Sequence, residues 1–445
     1  MPQRPDFAAH RAQLLAHLAE DEAVLLFGGP HHLRNADSEY RYRADSDIYW
    51  LSAWEDPEVA LFLRPGDEPF TLFCQARDPE REQWTGVRPG PEGAIAEWGA
   101  DAAYPYDALA EHLPRLLQGV ATLHYAFGRE HQHDLLLLGA INKAAKAARH
   151  NGLGVPETFH SPRLLLHELR LRKNDEELLL LREAARITVA AHKAAMAWAA
   201  PGRFEYQVES LIDFIFRKEG GTGPGYNTIV AGGANACVLH YTSNTQELRD
   251  GDLVLIDAGC EYGYYTADVT RTFPANGKFT EPQRQIYELV LKAQLAAIDA
   301  VRAGQPYNAM HDAAVRVLTE GMVEIGLLEG EVDTLIHEET YKKYYVHGTG
   351  HWLGLDVHDV GAYGRKGESR PLEPGMLCTV EPGLYIGPED EDAPEAFRGI
   401  GIRIEDDVLV TDGDPEILTA GVPKDVEAVE EACRSATPFT GMVSD

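Results

Sequence analysis

LVLIDAGCEYGYYTADVTRTF, residues 253–273, places two runs of β-branched and aromatic residues on either side of a short turn, with an aspartate in each run. Runs of this composition read as the two strands of a hairpin. With Tyr262-Gly263 as the two-residue loop, Asp257 faces Asp268. Directly opposed side chains share a face of the sheet with Cβ atoms about 4.5–5.5 Å apart, where like charges repel. A pair of divalent metal ions would justify that arrangement, because ions about 3.5–4 Å apart need bridging carboxylates. A looser turn would instead leave one aspartate as a solvated strand end.

Working outward, Glu381 lies in LCTVEPGLYIG and Glu405 in GIGIRIEDDVLV, each inside an apolar strand. Strand glutamates among apolar neighbours seldom stay buried without a partner. Arg403 is two residues before Glu405 and so on the same face. HGTGHWLGLDVHDVG adds His347, His351 and His358, with glycines that permit close backbone approach. A ligand set rich in carboxylates with one histidine suits hard or borderline ions, Mn²⁺ first and then Co²⁺ or Zn²⁺.

The rest of the chain supplies the frame. Residues 1 to about 150 alternate helical stretches, such as 78–85 and 131–148, with short apolar runs at 23–27, 47–54, 59–63, 70–73 and 122–127, the pattern of an α/β domain. A Gly- and Pro-rich break at 151–162 precedes a long helix capped by Asn174 with Glu177 as its capping-box partner. The domain boundary is expected near residue 172, giving an N-terminal α/β domain over 1–172 and a catalytic α+β domain over 173–445. In the second domain a helix starts at Thr280, with Pro282 in its first turn and Gln283 as capping partner, and another covers roughly 307–326. Antiparallel strands are expected at 252–259, 264–273, 376–386 and 399–410.

A formal net charge of −31 disfavours nucleic acid and anionic membranes as partners. No apolar run is long enough to span a bilayer, and the N-terminus reads as an amphipathic helix rather than a signal peptide. Five cysteines, an odd number without a C-x-x-C pair, point to free thiols and a cytoplasmic setting. HEETY at His337 has Tyr341 where a zinc motif needs its second histidine, and there is no G-x-S-x-G elbow, phosphate loop or dinucleotide fingerprint.

At YNTIVAGGANACVLHYTSN (from Tyr226), LVLIDAG…TADVTRTF, HGTGHWLGLDVHDVG, LEPGMLCTVEPGLYIGPE and FRGIGIRIEDDVLVT the chain resembles the aminopeptidase P and prolidase group of metallopeptidases. The resemblance implies a pita-bread catalytic domain and an N-terminal domain that walls the cleft and mediates oligomer contacts. It implies two divalent metal ions held by Asp257, Asp268, His351, Glu381 and Glu405, with Glu381 also the general base. His240 and His358 would contact substrate and steady the tetrahedral intermediate. Tyr226, His347 and Tyr385 would line the cleft, and Arg403 would buttress the carboxylates. The implied reaction is attack by a metal-bridging hydroxide, releasing the first residue of peptides with proline in second position, by a homodimer or homotetramer. The short link between HWLGLDVHDVG and EPGM favours the aminopeptidase P side; the alternative is a prolidase restricted to Xaa-Pro dipeptides. A non-catalytic peptide-binding module would be expected to have lost ligands, and none is lost.

Overall fold

Asn174 accepts hydrogen bonds from the backbone of Glu176 and Glu177, and the Glu177 carboxylate in turn accepts one from the Asn174 N–H at 2.9 Å. This reciprocal cap starts the helix Asp175–Trp198 and is worth about 1 kcal/mol. Thr280 and Gln283 repeat the device at the head of Glu281–Asp299. Both caps are those expected from the sequence. In the computed structural model, which describes residues 5–435, the chain divides into two compact units, Pro5–Arg170 and Leu171 onward.

The N-terminal unit is built on one mixed six-stranded sheet. Its spatial order is Ala102–Pro105, Phe70–Cys74, Ala60–Leu63, Glu22–Phe27, Thr122–His124, Thr158–His160. Leu25, Phe62 and Leu123 of the sheet pack with Leu113, Leu137 and Ala140 of the helices. One expected strand is a helix. Residues 47–54 read as strand because Ile48, Tyr49 and Trp50 favour it, yet Ser46–Ser52 is helical, capped by the Asp45 carboxylate and ended by Ala53 at φ +56°. All seven of its residues are buried, so it shows no polar face and its sequence lacks a helical period.

The second unit is α+β. A three-stranded antiparallel sheet joins Ile229–Gly232, Leu253–Asp257 and Thr270–Pro274; a second joins Leu377–Val380, Asp406–Leu409 and Glu416–Ile417; and Gly383–Tyr385 pairs with Gly401–Arg403. The helices Asp175–Trp198, Glu205–Lys218, Glu281–Asp299 and Ala309–Glu324 pack their apolar faces into the same core as these strands.

The hairpin register differs from the expected one by one pair. Asp257 lies opposite Thr270, not Asp268, and the tip pair is Tyr262 with Tyr265. The loop is therefore Gly263-Tyr264, both at positive φ (57° and 71°), the backbone twist that a two-residue hairpin loop favours. A tyrosine in that conformation is uncommon, which is why the sequence points one residue too early. Regular pairing lapses at 258–259, where Gly259 packs so closely on the Ala267 carbonyl that a Cβ would overlap it. The register is the same on both sides of this gap, so Asp268 faces Gly259 and is a diagonal neighbour of Asp257 on the same face, not its direct opposite.

Candidate metal centre

The two hairpins dock through threonines. Glu405 donates its N–H to Thr270 O at 3.1 Å, and the Thr272 hydroxyl donates to Arg403 O at 3.0 Å. This places Asp257 and Asp268 of one hairpin against Glu381 and Glu405 of the other. The loop bearing His351 lies on the strand Leu377–Val380. Thr379 donates its N–H to His351 O at 2.9 Å, and Gly350 leaves no room for a Cβ above the Thr379 carbonyl.

All five expected ligands therefore line one cavity of about 510 Å³, together with Tyr226, His240, His347, His358 and Arg403. Ligand atoms of Asp268, His351 and Glu405 lie within 4.8 Å of one another. His351 Nε2 is 3.3 Å from Asp268 Oδ2 and 3.5 Å from Glu381 Oε1. Its Nδ1 lies 3.0 Å from Trp352 O, to which Nδ1–H donates, and this turns Nε2 toward the carboxylates.

The electrostatics are those of a site short of positive charge. Burial, with the charge of Asp257, raises Asp268. Burial and the charges of Asp268 and Glu381 lift Glu405 well above the usual carboxylate range. Glu381 is pushed up to about 7 by burial, against the pull of His351 and Arg403. His351 is raised to about 9 because Asp268 and Glu381 outweigh its burial. Four carboxylates crowd around one imidazole and one guanidinium and repel one another, and oxygen-rich donors of this kind fit divalent metals.

The remaining side chains hold the ligands. Arg403 donates to Asp257 Oδ2 at 2.6 Å, to the Thr270 hydroxyl at 3.0 Å and to Tyr385 OH at 2.9 Å. Tyr226 is expected to line the cleft, and its hydroxyl points at Asp257 Oδ1 (2.6 Å) and Asp268 Oδ1 (2.5 Å). Burial takes His347 down to about 4, so it is neutral; its Nδ1–H donates to Gly348 O and its Nε2 accepts from Tyr385 OH at 2.8 Å. Tyr385 contacts both His347 and Arg403. The rings of His351 and His358 meet edge to face at 4.5 Å, and His240 stands exposed on the cavity wall.

Three contributors are not among the residues expected from the sequence. Thr270 donates to Glu405 Oε2 at 2.6 Å. Thr379 accepts from the His351 N–H at 3.0 Å and donates to Glu381 Oε1 at 3.2 Å. The buried Asp407 accepts the Asp268 N–H at 3.2 Å. Their one signal is alternation, since Asp268 and Thr270, Thr379 and Glu381, and Glu405 and Asp407 are each two positions apart on a strand face.

Comparison with known proteins adds to this geometry. The model of metallopeptidase family M24 matches residues 180–412, and that of the aminopeptidase P N-terminal domain matches 7–125. Xaa-Pro aminopeptidase of Escherichia coli is 44% identical over 437 residues, covering 97% of this chain and 98% of the relative. The structure of Pseudomonas aeruginosa aminopeptidase PepP superposes with a TM-score of 0.95 at 46% identity, covering 98% of this chain and 99% of that one. Zn-substituted E. coli aminopeptidase P in complex with product gives 0.94 at 44% identity, with the same coverage.

Proposed function

Because the chain belongs to metallopeptidase family M24 and carries the aminopeptidase P N-terminal domain, we propose that it is an Xaa-Pro aminopeptidase, a pita-bread hydrolase that removes the first residue from peptides with proline second. The observation that carries this reading is the convergence of four carboxylates and one histidine, from two hairpins and a loop, on one open cavity.

We assign Asp257, Asp268, His351, Glu381 and Glu405 as the residues that would hold two divalent ions, with Mn²⁺ the first candidate by donor type. Bound there, such ions would supply Lewis acidity and a nucleophile available at neutral pH. The protein's part follows from its own contacts. Glu381, steered by the Thr379 hydroxyl, takes the proton of the attacking water and returns it to the leaving proline nitrogen. That nitrogen has no N–H and cannot leave without a proton. His358 and His240 face the same cavity, where they orient the substrate carbonyl and donate to the developing oxyanion. Tyr226 and Arg403 keep Asp257 in place, and Tyr385 and His347 form the adjoining wall.

The N-terminal unit is the proposed oligomer contact, in a homodimer or homotetramer, supported by apolar side chains such as Trp84 and Leu164 at 88% and 83% exposure. A cytoplasmic setting is supported by five free cysteines. Among the described residues no helix is long and apolar enough to cross a membrane.

The deciding experiment strips the protein with chelator, restores Mn²⁺ and compares an Xaa-Pro-Xaa tripeptide with the matching Xaa-Pro dipeptide. Faster tripeptide cleavage with release of the first residue is the expected result. Cleavage of the dipeptide alone would make the protein a prolidase.

A further inference from the structure

Glu205 opens the helix Glu205–Lys218 and is fully buried. A carboxylate so placed needs compensation, and here four neutral donors supply it. Oε1 accepts from the Gly232 N–H at 2.7 Å and from Asn235 Nδ2 at 3.0 Å. Oε2 accepts from Tyr241 OH and from the Gln246 N–H, each at 2.8 Å. The Glu205 N–H in turn donates to Gln246 O at 3.0 Å. The first turn of a helix also favours a negative charge.

These partners share one property. They lie on both sides of His240 within the stretch 232–246, with Gly232 and Asn235 before it and Tyr241 and Gln246 after it. Leu239, His240 and Thr242 of that stretch line the metal cavity. Asn244 closes the segment at φ +48°, accepting from the Val230 N–H at 3.0 Å and donating to Thr228 O at 2.9 Å. An exposed histidine has no packing to fix it, so its place depends on the backbone at either side.

We propose that Glu205 is the positioning residue of His240, gathering both ends of residues 232–246 on one carboxylate so that the imidazole meets the peptide at a fixed point. The inference rests on the reading above that His240 touches substrate. It explains why an acid and not an amide stands here. All four partners donate, and glutamine in either orientation would turn an NH₂ toward at least one backbone N–H.

The test is a double-mutant cycle on the Mn²⁺-loaded full chain with an Xaa-Pro-Xaa tripeptide, reading kcat, KM and metal content. His240→Ala alone should lower kcat/KM. Glu205→Gln should lower it about 10- to 100-fold in the parent, as displaced substrate contacts do, with metal content unchanged. In the His240→Ala background the same change should cost less than about twofold, because residues acting as one unit are not additive. Equal losses in both backgrounds, or no loss in either, would overturn the proposal. Tyr241→Phe removes one of the four bonds and gives the same comparison, with a smaller loss, if Glu205→Gln does not fold. A His240→Ala enzyme as active as the parent would instead overturn the role given to His240.

Discussion

Thr270 serves two partners with one hydroxyl, donating to Glu405 and accepting from Arg403. It lies directly opposite Asp257 in the sheet, so a single residue links Glu405 of the other hairpin to the guanidinium that also holds Asp257. Thr270→Val keeps the shape and the strand propensity and deletes only these bonds. Metal affinity should fall about 10- to 100-fold, the usual cost of losing an outer-shell partner, as read by titration of the metal-free protein. Unchanged affinity would show that Glu405 is oriented by something else. The carboxylates that line the cavity could be picked out in the sequence because a carboxylate among apolar strand residues needs a reason to be there. Thr270 and Thr379 were not, since threonine is common in strands for its shape alone. Tyr226 lines the cavity as the resemblance implies, while its hydroxyl contact with Asp257 and Asp268 has no local signal, since nothing in the sequence reveals where a phenol points.

The loop from His351 to Asp359 shows what an element adds. The Trp352 carbonyl faces His351 Nδ1 at 3.0 Å and accepts the Asp359 N–H at 2.9 Å, so one carbonyl joins the imidazole that faces the carboxylates to the residue after His358. Asp359 is then tied to Lys173, the residue before the Asn174 cap, by an ion pair at 3.0 Å with both side chains 1% exposed. Lys173→Met would take the ammonium away from that buried carboxylate, and should cost about 3–5 kcal/mol of unfolding free energy in denaturant melts. Adding Asp359→Leu should recover much of the loss; no recovery would show that the loop needs the charges themselves. At this scale the sequence was readable where local chemistry decides, as in both capping boxes. It misled where tertiary burial decides. The helix Ser46–Ser52 is buried on every side, and the hairpin loop accepts Tyr264 at positive φ.

Over the whole molecule, the strands around Asp257, Asp268, Glu381 and Glu405 could be anticipated, but not the docking that turns two hairpins into one cavity, because nothing in a hairpin's own sequence names its partner. That docking concentrates negative charge in a chain already at −31. Metal should therefore stabilise the fold as well as complete the site. Scanning calorimetry with Mn²⁺ at about 100 times Kd should show a gain of about 2.7 kcal/mol over the chelated protein, and none in Asp268→Ala. An equal gain in that variant would place the stabilising ion elsewhere. The five proposed ligands run from Asp257 to Glu405, and no single hairpin carries more than two of them. A site assembled from such distant segments exists only after the slow, long-range pairings are complete. A bound ion should therefore act as a latch and not a nucleus: refolding and unfolding rates with and without Mn²⁺ should show slower unfolding of the loaded enzyme and an unchanged speed of folding.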